Sequence, residues 1–144
     1  MSDRLEVVHH EGYDPSINSL FVPAIKVTSG KLVFISGVTG APVYHDHPHR
    51  PEDFDRIPPD AEGQAGLAFE HLGQALMAAG CRPAHVVSLT RFFTHVAEDQ
   101  DAVNRVQTAF FTGHLPTSTT VEVTRLATDP RLRIEIQAIA VAPD

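Results

Sequence analysis

Hydrophobic positions recur along the chain with two periods, and the switches between them mark the elements. The stretch "HLPTSTTVEVTRL" (114–126) sets Val121 and Val123 against Thr120, Glu122 and Thr124, the period of two of a half-buried strand over 117–126. Residues 4–9 read as a short edge strand. Residues 22–28 and 31–36 read as two strands turned at Ser29-Gly30, where glycine accepts a left-handed backbone. Asp60 is placed to cap a helix whose apolar residues Ala65, Ala68, Phe69, Leu72, Ala75, Leu76 and Ala79 follow the 3.6 period up to Gly80. β-Branched and aromatic residues mark 85–96 as a strand. Val103, Val106 and Phe110 predict a second helix ending at Gly113, and 132–141 is the last strand.

The predicted order is strand, strand, strand, helix, strand, helix, strand, strand (βββαβαββ). It implies one α+β domain over 1–144, a six-stranded mixed sheet with both helices on one face. Both strand–helix–strand segments allow a parallel crossover, while the first and last strand pairs read as hairpins. Residues 38–60, "VTGAPVYHDHPHRPEDFDRIPPD", hold five prolines and form a long loop insertion. On the face away from the helices, Ile139 and Val141 share the last strand with Arg133, Glu135 and Gln137. A face polar at one end and apolar at the other suits a subunit interface enclosing a polar cleft.

Composition narrows the function classes. With 144 residues, 42% of them hydrophobic, the chain can build a core without disulfides, and its only cysteine, Cys81, fits a reducing compartment. The N-terminus "MSDRLEVVHH" has no secretion-signal pattern and no apolar run approaches the roughly 20 residues of a membrane span, so a cytoplasmic location is expected. A net charge of −7 without any Lys/Arg cluster argues against nucleic acid and membrane surfaces and toward small molecules or protein partners.

Four segments, "KLVFISG", "AAGCRPAHVVSLTRFF", "VNRVQTAFFTG" and "VEVTRL…RIEIQAIAV", resemble in order and spacing the successive signatures of the Rid family, the reactive intermediate deaminases also called YjgF. The resemblance covers nearly the whole chain after residue 20. It implies a chorismate-mutase-like fold of the bacillus type, a homotrimer with ligand clefts between subunits, and hydrolysis of enamines and imines such as 2-aminoacrylate without a cofactor.

Residue by residue, the resemblance makes Glu135 the acid that positions or activates water, Asn104 a ligand-proximal amide, and Ser36-Gly37 pocket-lining backbone. The family's substrate-carboxylate arginine falls at Ser118 in "PTST", and its N-terminal "GPYSQA" signature is replaced by "LFVPAIKV". A guanidinium grips a carboxylate with two charge-assisted hydrogen bonds, whereas a serine hydroxyl offers one neutral donor. Simple 2-imino acids are therefore expected to fit poorly. Ser118 and Thr120 are expected to line the cleft, with Ser118 near Glu135 across the final hairpin and both pointing away from the helices.

Plainer roles stand beside these. Glu135 also reads as an interface carboxylate, Asn104 as a local backbone partner, and Cys81 as a small buried hydrophobe. Arg91 and Arg125 could supply a replacement cation, although strand arginines more often form interface ion pairs. His45, His47 and His49 alternate in "YHDHPHR", a spacing that can hold zinc, copper or nickel. Pro48, the loop setting and the family's independence of metals favour a metal-free reading, or a lid carrying a histidine or Tyr44. The expectation is thus a hydrolase acting on an enamine, imine or related metabolite, with a non-catalytic trimeric binding or regulatory protein as the alternative. A ribonuclease is disfavoured by the acidic charge.

Overall fold

The computed structural model describes residues 4–14, 16, 19–43 and 47–144. In chain order the elements are β1 (Leu5–Val8), β2 (Ala24–Val27), β3 (Lys31–Val38), α1 (Ala61–Ala78), β4 (Val86–Phe93), α2 (Val96–Phe111), β5 (Thr117–Glu122) and β6 (Ile134–Ala142). The predicted order holds, and the class is α+β. Asp60 caps α1 through its carboxylate, which accepts from Gly63 N at 3.1 Å. Thr112 (φ 46°) and Gly113 (φ 98°) turn the chain out of α2 through left-handed conformations.

β6 lies inside the main sheet, whose order is β3-β6-β4-β5. It runs antiparallel to both β3 and β4, while β4 and β5 are parallel and joined through α2. Alternate residues Ile134, Ile136, Ala138 and Ala140 of β6 are buried, and they meet Ala65, Phe69, Leu72 and Leu76 of α1 and Val103 and Phe111 of α2 in one core. Both helices therefore cover one face, as expected. No described helix is long and apolar enough to cross a membrane.

Two pairings differ from the sequence expectation. The six strands form a four-stranded sheet and a separate two-stranded one, not a single sheet. β2 does not form a hairpin with β3. It pairs with β1 over Leu5↔Val27 to Val8↔Ala24, and the chain then turns at Gly30. A Cβ at Gly30 would lie 2.5 Å from Val141 and 2.7 Å from the Ala142 carbonyl, and φ there is 103°, so the turn needs glycine on both counts. Beside β6, Val33 and Ile35 of β3 come under the helices, and their burial accounts for the choice of partner.

The hairpin expected of the last two strands is absent too, because β4 separates β5 from β6. The 123–133 connection is an anchored crossing instead of a tight turn. Leu126 and Leu132 join Phe54 and Ile57 in a second, smaller core. Arg131, held in place by Asp129 at 2.9 Å, ties the crossing to the long loop through Asp55 at 2.8 Å and the Pro51 carbonyl at 2.7 Å. The described far half of the 38–60 loop is thus a packed strap, with a 3-10 turn at Pro51–Phe54.

Gln64, 0% exposed, fastens this strap to the sheet. Its amide nitrogen donates to the Pro58 carbonyl at 2.8 Å and the Arg131 carbonyl at 3.0 Å, and its oxygen accepts from Arg133 N at 2.7 Å. Gln64→Leu leaves three part-buried backbone groups without this partner and is expected to lower the unfolding free energy by roughly 2 kcal/mol in urea titration; a loss below about 0.5 kcal/mol would contradict this bracing role.

Candidate functional site

Glu135 stands on the sheet face opposite the helices. Its neighbours on β6, Ile134 and Ile136, point into the core, and across the sheet it pairs with Phe92. Beside it β3 carries an irregularity: Ile35 pairs with Ala138 but Val38 with Ile136, so Ser36 and Gly37 together span the step opposite Gln137. A Cβ on Gly37 would lie 2.6 Å from Glu135 Oε2 and 3.0 Å from Cδ. The carboxylate occupies space that a side chain at residue 37 would contest. The structure thus brings Gly37, with Ser36 adjoining, up to Glu135.

Glu135 is half-buried, and among the described residues its carboxylate accepts no hydrogen bond and forms no ion pair. Burial pushes its pKa above the ordinary carboxylate range. An unpaired, partly desolvated carboxylate of raised basicity can bind a water and take its proton.

Asn104, Thr120 and Ser118 gather on the other face. Pairing in the parallel β4–β5 ladder sets Ser118 beside Leu89 and Thr120 beside Arg91, and Leu89 faces the helix-covered core. The β5 hydroxyls therefore point toward the helices. This corrects the expectation that Ser118 and Glu135 point away from the helices together: they lie on opposite faces, with β4 between their strands. The cause is the inserted β4, which replaces the hairpin on which the expectation rested. Glu122, next on this face, accepts from Val96 N at 2.9 Å and holds the start of α2.

Arg91 organises the second group. It is 5% exposed, and its Nε donates to Thr120 Oγ1 at 2.9 Å. Its Nη1 donates to Asn104 Oδ1 at 2.7 Å and Gln107 Oε1 at 3.1 Å, and the guanidinium lies 5.3 Å over the Phe93 ring. Burial alone lowers its pKa from the arginine range, yet a guanidinium remains charged. Gln107 is absent from the sequence expectations, and Arg91 entered them only as a spare cation. A signal was available: Leu89, Arg91 and Phe93 share strand parity, which puts the arginine on the core side. Arg125, the other spare cation, folds back onto the Leu126 and Ala127 carbonyls.

Cys81 is buried and its thiol pKa is raised by that burial, as a small core residue requires. His45 and Tyr44 lie outside the described residues. His47 and His49 have ring centroids 4.6 Å apart, with His49 Nδ1 3.2 Å from the Thr128 carbonyl. Among the described residues no group of three or more His, Cys, Asp or Glu is placed to hold a metal. A cavity of about 590 Å³ lined by Val7, Tyr13, Val22, Phe111 and His114 touches neither group, and its His114 is occupied by the Val86 carbonyl at 2.6 Å.

A family model described as Endoribonuclease L-PSP matches residues 14–142. The chain belongs to this family, the Rid or YjgF family. The Rid chain is 34% identical over 134 residues to protein DfrA of Myxococcus xanthus, covering 92% of this chain and 93% of that one. It is 31% identical over 111 residues to the 2-iminobutanoate/2-iminopropanoate deaminase of Rattus norvegicus, covering 77% and 73% of the two chains. The crystal structure of the Rid family protein YyfB from Yersinia pestis superposes with a TM-score of 0.78 at 26% identity, covering 96% and 98%. The Rid fold seen there is the one expected from the sequence motifs.

The raised pKa of Glu135 has a sign that can be checked. With the folded value above the ordinary 4.5, folding favours the protonated acid. Stability from this group is complete at low pH and falls as pH rises from the unfolded value through the folded one. Glu135→Gln removes the ionisation, so its stability relative to wild type is expected to rise between about pH 4 and pH 7 in paired urea titrations. A relative stability that falls over that range would mean that the charged form is the one the fold favours.

Proposed function

We propose that this Rid-family chain is a cofactor-independent hydrolase of enamines and imines, working in clefts between the subunits of a homotrimer. The observation that carries the reading is the unpaired Glu135 carboxylate seated in the space left by Gly37. A deaminase name among its relatives supports the reaction class.

The chemistry follows from that carboxylate. An enamine first tautomerises to its imine by gaining a proton on carbon and losing one from nitrogen. Glu135 takes a proton from water as the water oxygen bonds to the C=N carbon and the π electrons move to nitrogen. In the resulting carbinolamine the nitrogen takes up the proton held by Glu135 and leaves as ammonia as the C–N bond breaks, while the hydroxyl gives up its own proton, the second of the two that nitrogen gains from water, as the carbonyl forms. A carboxyl group with a raised pKa suits both halves, since it accepts the proton of water and returns it to the leaving nitrogen. No metal or redox group enters this balance.

Assembly is needed for a complete site. Glu135 and the Arg91–Asn104–Thr120 group occupy opposite faces of one sheet, so a small ligand cannot touch both within one chain. A second copy can offer its Glu135 face to the first copy's β5 edge. The face bearing Glu135 also exposes Phe34 at 73% and Leu32 at 57%, apolar surface that association would cover. Ser118 offers one neutral hydroxyl, so a bidentate grip on simple 2-imino acids is not available at that position. The acidic charge weighs against ribonuclease action.

Light scattering after gel filtration is expected to give about three times the mass of the chain. A stable monomer would remove the shared cleft and leave only a binding reading.

Steady-state hydrolysis of freshly generated imines, followed by ammonia release, is expected to fall roughly a hundredfold or more in kcat for Glu135→Ala, as loss of a positioned general base does. Gly37→Ala, which pushes the carboxylate aside, is expected to fall in the same direction while keeping the oligomer. Activity unchanged by both substitutions would take Glu135 out of the chemistry and favour the non-catalytic trimeric binder.

A further inference from the structure

We propose that the cavity of about 590 Å³ between the end of β1 and the C-terminal end of α2 is a second small-molecule site, which takes a neutral, planar aromatic ligand bearing an N–H or O–H donor. The inference stands apart from the hydrolase reading, because the cavity touches neither Glu135 nor the Arg91 group.

Three observations carry it. First, the cavity has the size of a ligand site and its walls are fastened. Small-ligand pockets run to roughly 300–1,000 Å³. On one side the chain leaving β1 closes a turn, in which Tyr13 N donates to His10 O at 2.9 Å and Gly12 N to His10 Nδ1 at 3.2 Å. On the other, Val22 N donates to Pro116 O and His114 N to Phe111 O, both at 3.1 Å. Walls held by their own hydrogen bonds do not have to be ordered by the ligand, which spares binding that entropy cost.

Second, two separate segments put rings into the lining. The His9 and Tyr13 rings of the turn stack with centroids 5.1 Å apart and 23° between their planes. From the end of α2 come Phe111 and His114, with centroids 5.9 Å apart and planes tilted by 59°. Val7, Val22 and Leu115 add apolar surface. Rings set among aliphatic side chains suit another flat ring, which can stack on one pair and meet the other edge-on.

Third, His114 sets the polarity of the ligand. Its Nε2 lies 2.6 Å from the Val86 carbonyl, which can only accept, so Nε2 carries the hydrogen. Burial, outweighing that hydrogen bond, pushes its pKa down and keeps the imidazole neutral. Nδ1 then bears a lone pair. It has no partner among the described residues and is not sealed from solvent, so it opens on the cavity that His114 lines. Such an acceptor calls for a donor. A net charge is disfavoured in either sign. Burial first, and then the positive charges of Arg4, Arg82 and His114, push down the pKa of the adjoining His85, a setting that repels a cation. Thr112 and Gly113 in the lining bring the carbonyl end of the α2 dipole, which repels an anion.

Indole and benzofuran test the site on the intact protein. They share a shape, but a ring oxygen in benzofuran replaces the N–H. The chain contains no tryptophan, so indole fluorescence reports binding without a protein indole signal, and benzofuran is measured by displacement. Indole is expected to bind saturably, at one site per chain, with a dissociation constant below about 1 mM. Benzofuran is expected to bind roughly tenfold more weakly, the loss of one hydrogen bond. His114→Phe keeps a ring in the lining and removes the acceptor; it is expected to bring the two ligands within about twofold of each other. Ala84→Phe, which adds a ring to the lining from the 3-10 turn at Pro83–His85, is expected to weaken indole by roughly tenfold or more. Should His114→Phe fail to fold, the wild-type ratio and Ala84→Phe still decide. Absence of saturable indole binding, equal affinity of wild type for the two ligands, or indole affinity unchanged in Ala84→Phe would each overturn the assignment. Indole binding lost in Glu135→Ala would put the ligand at the other site and overturn it as well.

Discussion

The insertion of β6 between β3 and β4 is the constraint on which the molecule turns. A strand paired on both sides has no free edge, and its alternate residues must satisfy two different surroundings. β6 meets this with Ile134, Ile136, Ala138 and Ala140 toward the helices and Glu135, Gln137 and Ile139 away from them. The same placement puts Glu135 against the irregular step of β3, where Gly37 has no side chain to compete for space. It also leaves β5 at the edge of the sheet, hydrogen-bonded only to β4. The acid is thus carried inside the sheet and the hydroxyls at its rim, on opposite faces. That separation keeps the acid and the hydroxyls from facing each other across the sheet of one chain.

The elements themselves were legible because each is signalled locally. The Asp60 cap, the 3.6-period stripe through Leu72 and Leu76, and the stops at Gly80 and Gly113 all act within a few residues of sequence. Strand partners were not legible by the same means. A short link such as Ser29-Gly30 permits a hairpin, but which edge β3 takes depends on whether Val33 and Ile35 find cover, and the cover comes from α1 some 30 residues on. The link 123–133 looked like a turn because its anchors, Asp55 and Phe54, lie far back in the proline-rich loop. In both places a distant burial or ion-pair term outweighed a local turn signal.

The candidate site divides along the same line. Glu135 and Gly37 were named from motifs, and the structure supplies the reason they go together, one filling the space the other leaves. Ser118 and Thr120 were expected on the face of Glu135, away from the helices, an error inherited from the absent hairpin; Thr120 instead shares Arg91 with Asn104. Had parity been carried from Leu89 and Phe93 to Arg91, and then across the parallel ladder to Thr120, the hydroxyl row would have been placed beside a cation. Parity is a local signal; parallel pairing is not, and the second is what turned one into the other.

The charges of the chain show a consistent division of labour. Arg131 and Arg133 are matched to acids across the strap and the start of α2, where their role is to hold separate segments in register. Such matched pairs bring little net energy at a surface but specify which segments meet. Arg91 and Glu135 are partly or wholly buried charges that form no ion pair among the described residues. Each is individually unfavourable, since burial shifts both toward their neutral forms. A fold tolerates such a cost where something outside the chain is expected to share it. Both costs fall on the single chain, and an opposite charge brought to either group would offset part of them.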